Sequence, residues 1–231
     1  MAETTASLAA NGAGLKQRLI DITRLLDDRY GPRRWRSHGR PVDVLIETVL
    51  SQNTSDVNSH RAFRALLERY GSLENVAGAD VVDIEEIIRP AGLSRIKSVR
   101  IKQILEQARR QHSSLDLGFL SAMSLDDARS YLTGLPGVGP KTASCVLVFA
   151  LGMPAMPVDT HVHRVSRRLG LIEMHVSAEE AQTELEAIVE PGDRYGLHLH
   201  LIEHGRTVCR ARKPACHQCV LSPLCPSAFT F

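Results

Sequence analysis

In residues 135–165, LPGVGPKTASCVLVFALGMPAMPVDTHVHRV, Lys141 opens a helix straight out of a glycine–proline turn, and Asp159 precedes THVHRV. An ammonium in a first helical turn faces the positive end of the macrodipole, and apolar neighbours disfavour its charge further. A deprotonated amine is a nucleophile that forms a Schiff base with a carbonyl carbon or its equivalent. By position alone the simpler reading is a surface lysine whose head touches phosphate. Asp159 fits an N-cap, and a capping carboxylate, held ionised by backbone donors, can also stabilise positive charge developing on a sugar. His161 and His163, two residues apart on a helix, point in different directions and make a poor shared metal site.

A second reactive set closes the sequence. Cys209-x6-Cys216-x2-Cys219-x5-Cys225 places four thiols in one compact loop. Four soft ligands so close can enclose one metal centre, either zinc or an iron–sulfur cluster. Zinc sites usually come as two close pairs, whereas only Cys216 and Cys219 are close here, which favours a cubane cluster over zinc. The fifth thiol, Cys145, sits in an apolar run and reads as a small core residue. Around Cys209 stand Arg206, Arg210, Arg212 and Lys213 with no acid among them. On a metal-braced loop they are phosphate contacts, or else a solvated surface offsetting the thiolates.

The elements that must position these groups are helical. Apolar residues recur at helical spacing, as in Leu15, Leu19, Ile22 and Leu26, and period-two patterns are scarce. Breakers such as YGPRR, YGS, RPAG, LPGVGP and EPGD fall every 15 to 30 residues and mark off about ten helices. The class is all-α. In LPGVGPKTA, Gly137 and Gly139 permit positive φ or close backbone approach, and Pro140 suits a first helical position. The hairpin thus presents backbone N–H groups able to hold a DNA phosphate without reading a base.

With 43% hydrophobic residues in 231, the chain can bury a core. A net charge of +2 names no partner, so a nucleic-acid argument must come from local clusters. The longest apolar stretch is cut by Gly152, Pro154 and Pro157 and falls short of the roughly 20 residues that span a bilayer, so no membrane partner is expected. Residues 1–13 lack a basic n-region and read as a disordered tail, and the protein as cytoplasmic, nucleoid-associated if prokaryotic. No surplus apolar helix face is evident, so a monomer is expected.

Taken together, LSQNTSDVN, LPGVGPKTA, VDTHVHRV, HGRTVC and the C-x6-C-x2-C-x5-C loop resemble the helix-hairpin-helix DNA glycosylases, and among them the endonuclease III family. The resemblance covers roughly residues 15 to 226, with the motifs in family order. It implies a two-domain all-α fold: an iron–sulfur cluster domain from residues 14–40 and 155–231, and a helical barrel over 41–154 with the hairpin at about 131–145. DNA would lie in the groove between them.

The same resemblance makes Lys141 and Asp159 the catalytic pair, and Cys209, Cys216, Cys219 and Cys225 the ligands of a [4Fe–4S] cluster. It implies a bifunctional glycosylase and AP lyase that removes oxidised pyrimidines from double-stranded DNA and nicks abasic sites by β-elimination. Asn53, or the adjacent Gln52, would fill the hole left by a flipped base, and Leu93 would be the apolar wedge. The basic stretches Arg33, Arg34, Trp35, Arg36 and RIKSVRIK would line the groove or form a solvated face. Members that remove adenine opposite oxidised guanine lack this lysine, carry a glutamate near this segment and usually add a C-terminal recognition domain. Glu47 lies one residue out of register for that glutamate, and six residues follow Cys225. Other readings are a glycosylase for alkylated purines or mismatched bases, a non-catalytic DNA-binding module, and a zinc-bound adaptor.

Overall fold

The computed structural model describes residues 2–230, with side chains from residue 14 onward; the tail expected over residues 1–13 lies outside the residues whose side chains are described. Eleven α-helices and no strand occur among the described residues: α1 (Ala2–Tyr30), α2 (Pro41–Ser51), α3 (Asp56–Tyr70), α4 (Leu73–Val76), α5 (Val81–Ile88), α6 (Ser94–His112), α7 (Leu125–Thr133), α8 (Pro140–Cys145), α9 (Thr160–Arg168), α10 (Ala178–Ile188) and α11 (Arg194–Thr207). No described helix is long and apolar enough to cross a membrane.

The chain forms two compact units, one of residues 1–35 and 154–231, the other of residues 36–153. In the second unit, α2 begins with Pro41 at its first position and buries Val42, Leu45, Ile46, Val49 and Leu50, the spacing of one helical face. Ser55 caps α3 by accepting from the Asn58 N–H, and Ser124 caps α7 by accepting from the Asp127 N–H at 3.1 Å. After Cys145 the backbone passes into a π-helical turn, Val146–Ala150, nearly all of it buried.

The first unit packs Leu19, Ile22 and Leu26 of α1 against Val162 and Val165 of α9 and Leu197 and Leu201 of α11. Contact between α9 and α11 depends on Gly205, where a Cβ would stand 3.0 Å from the His161 Cβ. A capping box starts α10, the Ser177 hydroxyl and Glu180 carboxylate each accepting a backbone N–H from the other's residue.

Candidate functional site

The glycine hairpin joins α7 to α8. Gly137 has φ +72°, a conformation that favours glycine, and a Cβ there would come within 2.6 Å of the Arg100 Cδ, so a larger residue would also have to displace the arginine side chain. Gly139 differs from the sequence expectation: its φ is −91° and a Cβ on it would meet nothing within 4 Å. It serves as the N-cap of α8 and leaves the surface beside Lys141 open.

Lys141 is exposed in the first turn of α8, while Thr142 through Val148 behind it are buried. Gln52, at the end of α2, braces this turn. Its amide nitrogen donates to the Gly137 carbonyl and the Thr142 hydroxyl, each at 3.3 Å, and its oxygen accepts from Arg100 at 3.3 Å. Asn53, the next residue, is exposed and left-handed at φ +54°. Leu93 is also left-handed, at φ +49° and ψ +33°, stands as the N-cap of α6 and is 51% exposed. Thus the structure brings Gln52, Gly137 and the Lys141 turn together and points Gln52 inward, with Asn53 outward.

Asp159, half-buried, caps α9. Its Oδ1 accepts from the N–H groups of His161 at 2.9 Å and Val162 at 2.8 Å, so the cap does not occupy Oδ2. The approach to it is fixed by Glu186, which accepts from the Met156 N–H at 2.9 Å, and by the His198 ring, whose Nδ1 lies 2.8 Å from the Pro157 carbonyl oxygen. His161 and His163 diverge as expected, to Arg164 and to the Val176 carbonyl. Lys141 belongs to the second unit and Asp159 to the first.

Cys209, Cys216, Cys219 and Cys225 are all free thiols and line one pocket together with Val208, Pro214 and Ala215. Among the described residues no three donors are grouped to hold a single metal ion; the four thiols share one pocket, a donor set that suits an iron–sulfur cluster. Burial raises the pKa of Cys219 and Cys225, and the neighbouring thiols raise it further. Four thiolates gathered here therefore need a positive centre to stay ionised.

Three arginines not singled out in the sequence hold the cysteine loop. Arg168, 8% exposed, donates to the carbonyls of Arg210 at 2.7 Å and Ala211 at 3.2 Å and reaches the Cys209 Sγ at 3.4 Å. Arg164 donates to the carbonyls of Cys209 at 3.1 Å and Gly205 at 2.8 Å, and Arg18 to that of Leu224 at 2.9 Å. Arg164 and Arg168 stand four apart on α9, a spacing that puts both on one face. His204 lies with Nε2 3.4 Å from the Cys219 Sγ and Nδ1 2.9 Å from the Tyr30 hydroxyl; burial pushes its pKa down to about 4. Arg206, Arg210, Arg212 and Lys213 are exposed, and Cys145 is buried. Of the other basic stretches, Arg33 pairs with Glu203. RIKSVRIK is corrected at Lys97, which is 1% exposed and cannot line a groove.

An all-helical chain with a lysine at the mouth of a glycine hairpin and a four-cysteine loop defines a base-excision glycosylase. Residues 46–191 match the model for the HhH-GPD superfamily base excision DNA repair proteins, and residues 209–225 that for the iron–sulfur binding domain of endonuclease III. The chain belongs to the endonuclease III family of base-excision DNA glycosylases. It is 34% identical to endonuclease III of Synechocystis sp., over 96% of this chain and 98% of that protein. A solved structure of a non-covalent endonuclease III–DNA complex matches at a TM-score of 0.79 and 30% identity, over 92% of this chain and 96% of that one. A trapped endonuclease III–DNA covalent intermediate matches at 0.79 and 29%, with the same coverage. The family carries a [4Fe–4S] cluster, and so does this chain.

Proposed function

We propose that this glycosylase is bifunctional and that Lys141 is its nucleophile. The observation that carries the reading is the exposure of Lys141 at the head of a helix whose following seven residues are buried, beside a glycine with open space around it. An amine so placed is fixed at its base and free at its head. The Nζ lone pair attacks C1′ of a nucleotide turned out of duplex DNA, and the glycosidic bond breaks with its electron pair leaving on the base. Opening of the sugar then gives a Schiff base, and loss of a C2′ proton expels the 3′ phosphate, which nicks the strand. Asp159 supplies the anionic charge that favours the cationic transition state.

Double-stranded DNA carrying an oxidised pyrimidine or an abasic site is the substrate in this reading, and the enzyme works as a monomer. The relatives' shared activity class, with a covalent intermediate trapped in one of them, supports it. The hairpin N–H groups beside Gly139, with the exposed Arg206, Arg210, Arg212 and Lys213, hold the backbone phosphates. Asn53 fills the vacated position rather than Gln52, because the Gln52 amide is already engaged at both ends. Leu93 is the wedge. Cys209, Cys216, Cys219 and Cys225 hold the cluster, whose contribution is to brace the basic loop.

The test uses duplexes carrying thymine glycol, an abasic site, alkylated adenine or a G·T mismatch, incubated with the protein and borohydride. A covalent protein–DNA band that disappears in Lys141→Ala, strongest on thymine glycol or the abasic site, is the expected result. A band with another lesion as the strongest substrate reassigns the base; no band on any of them removes the lyase.

A further inference from the structure

Lys97 lies on α6 with its side chain in the core, 1% exposed and among the largest fully buried side chains. Its ammonium donates to two backbone carbonyls, that of Leu50 at 2.7 Å and that of Ala91 at 2.8 Å. Leu50 is in the last turn of α2, where carbonyls lose their helical partners; the N–H of Thr54 turns to Ser51 at 3.3 Å and leaves the Leu50 oxygen to the lysine. Ala91 closes the 3-10 turn Arg89–Ala91. Burial lowers the Lys97 pKa, while the negative end of α2 favours its charged form.

The two carbonyls are not arbitrary. Leu50 is three residues before Asn53, and Ala91 is two before Leu93. Asn53 and Leu93 are both exposed and left-handed, at φ +54° and +49°, conformations uncommon for residues other than glycine. The Lys97 backbone N–H adds a further bond, to the Leu93 carbonyl at 3.0 Å.

We propose that Lys97 is a positioning residue for base extrusion: one buried ammonium ties the Asn53 loop to the Leu93 loop and presents both residues in fixed register. The proposal rests on the reading of Asn53 and Leu93 given above. A strongly hydrated cation is an unusual core residue, and a purely structural role calls for an apolar side chain of the same length. What the ammonium adds is simultaneous attachment of the two loops through the Leu50 and Ala91 carbonyls. Extrusion needs both at once, because the wedge opens the stack while the filler occupies the gap.

The experiment compares wild type, Lys97→Met and Lys97→Gln, with Asn53→Ala and Leu93→Ala alongside, all purified with the cluster and checked by visible absorbance and melting temperature. Two rates are read: base release from thymine glycol paired in duplex DNA, which requires extrusion, and borohydride trapping on a single-stranded abasic site, which does not. The inference expects the first rate to fall about 100-fold in Lys97→Met, the loss typical of an ångström-scale misplacement, with the second unchanged and Lys97→Gln in between. It is overturned if both rates fall together in step with the folded fraction, if the ratio stays at the wild-type value, or if neither variant folds with its cluster. Should Asn53→Ala and Leu93→Ala leave the ratio unmoved, the loop assignment fails and takes the inference with it. Wild type trapping nothing would instead overturn the lyase reading.

Discussion

The Arg100 side chain lies across Gly137, with its Cδ 2.6 Å and its Nε 2.7 Å from where a Cβ would stand. Arg100 also donates to Gln52, which in turn holds the Gly137 carbonyl and the Thr142 hydroxyl. The hairpin that presents Lys141 is therefore shaped from behind by an arginine and a glutamine. Gly137→Ala meets both a left-handed φ and this contact, and is expected to destabilise the protein by about 1–3 kcal/mol. In an Arg100→Ala background only the φ term remains, so the two substitutions couple by about 1 kcal/mol in a denaturation cycle. Strict additivity would show that the contact is not the constraint.

Asp159 has two separable duties. As a cap it needs an acceptor, which asparagine supplies; as an electrostatic partner it needs charge. Asp159→Asn is expected to keep nearly full thermal stability while base release falls steeply. Asp159→Ala loses the cap as well, at a cost of about 0.5–2 kcal/mol. Melting curves beside single-turnover rates check this, and equal activity loss per kcal/mol of stability in both variants would make the residue only a cap.

The cysteine loop has little regular structure, only the short 3-10 turns Cys216–Gln218 and Ser222–Leu224. Its carbonyls are held instead by Arg168, Arg164 and Arg18. Arg168→Leu removes this donor from the carbonyls of Arg210 and Ala211 and is expected to cost about 1–2 kcal/mol. The cluster should then bleach faster under a chelator, followed by visible absorbance. Removing the cluster from the wild type should likewise lift hydrogen-exchange protection in residues 209–225 before the rest of the first unit, since binding free energy there is folding free energy.

The helices and their stops were legible because they are local. RPAG gives the turn before α6, and LPGVGP gives a left-handed Gly137 followed by Pro140 at the first position of α8. Lys97 was not, although it sits on the same face as Ile101, Ile104, Leu105 and Ala108, all buried. A charged residue type outweighed its register, and its reason for being inside lies in carbonyls of Leu50 and Ala91 that only the tertiary structure brings together. The arginines of the cysteine loop were hidden for the same cause: their acceptors stand 41 to 206 residues away. The sequence permits positive φ or close approach equally at Gly137 and Gly139, and local pattern cannot separate a glycine that must twist from one that leaves a surface clear.

Gln52 and Asn53 are adjacent and similar in chemistry, yet the structure gives them opposite fates. Gln52→Ala removes the brace on the hairpin and is expected to lower stability by about 1–2 kcal/mol, with base release and abasic-site nicking falling together. Asn53→Gly should do the reverse. Its φ of +54° suits glycine better than asparagine, so the fold is kept or slightly strengthened, by at most about 1 kcal/mol. What is lost is the amide that fills the duplex, so release of a paired damaged base should drop while nicking of a single-stranded abasic site persists. A stability gain joined to loss of one activity marks a residue kept for function against its own backbone preference. If Asn53→Gly is instead as active as wild type on paired lesions, the filling role passes from this loop.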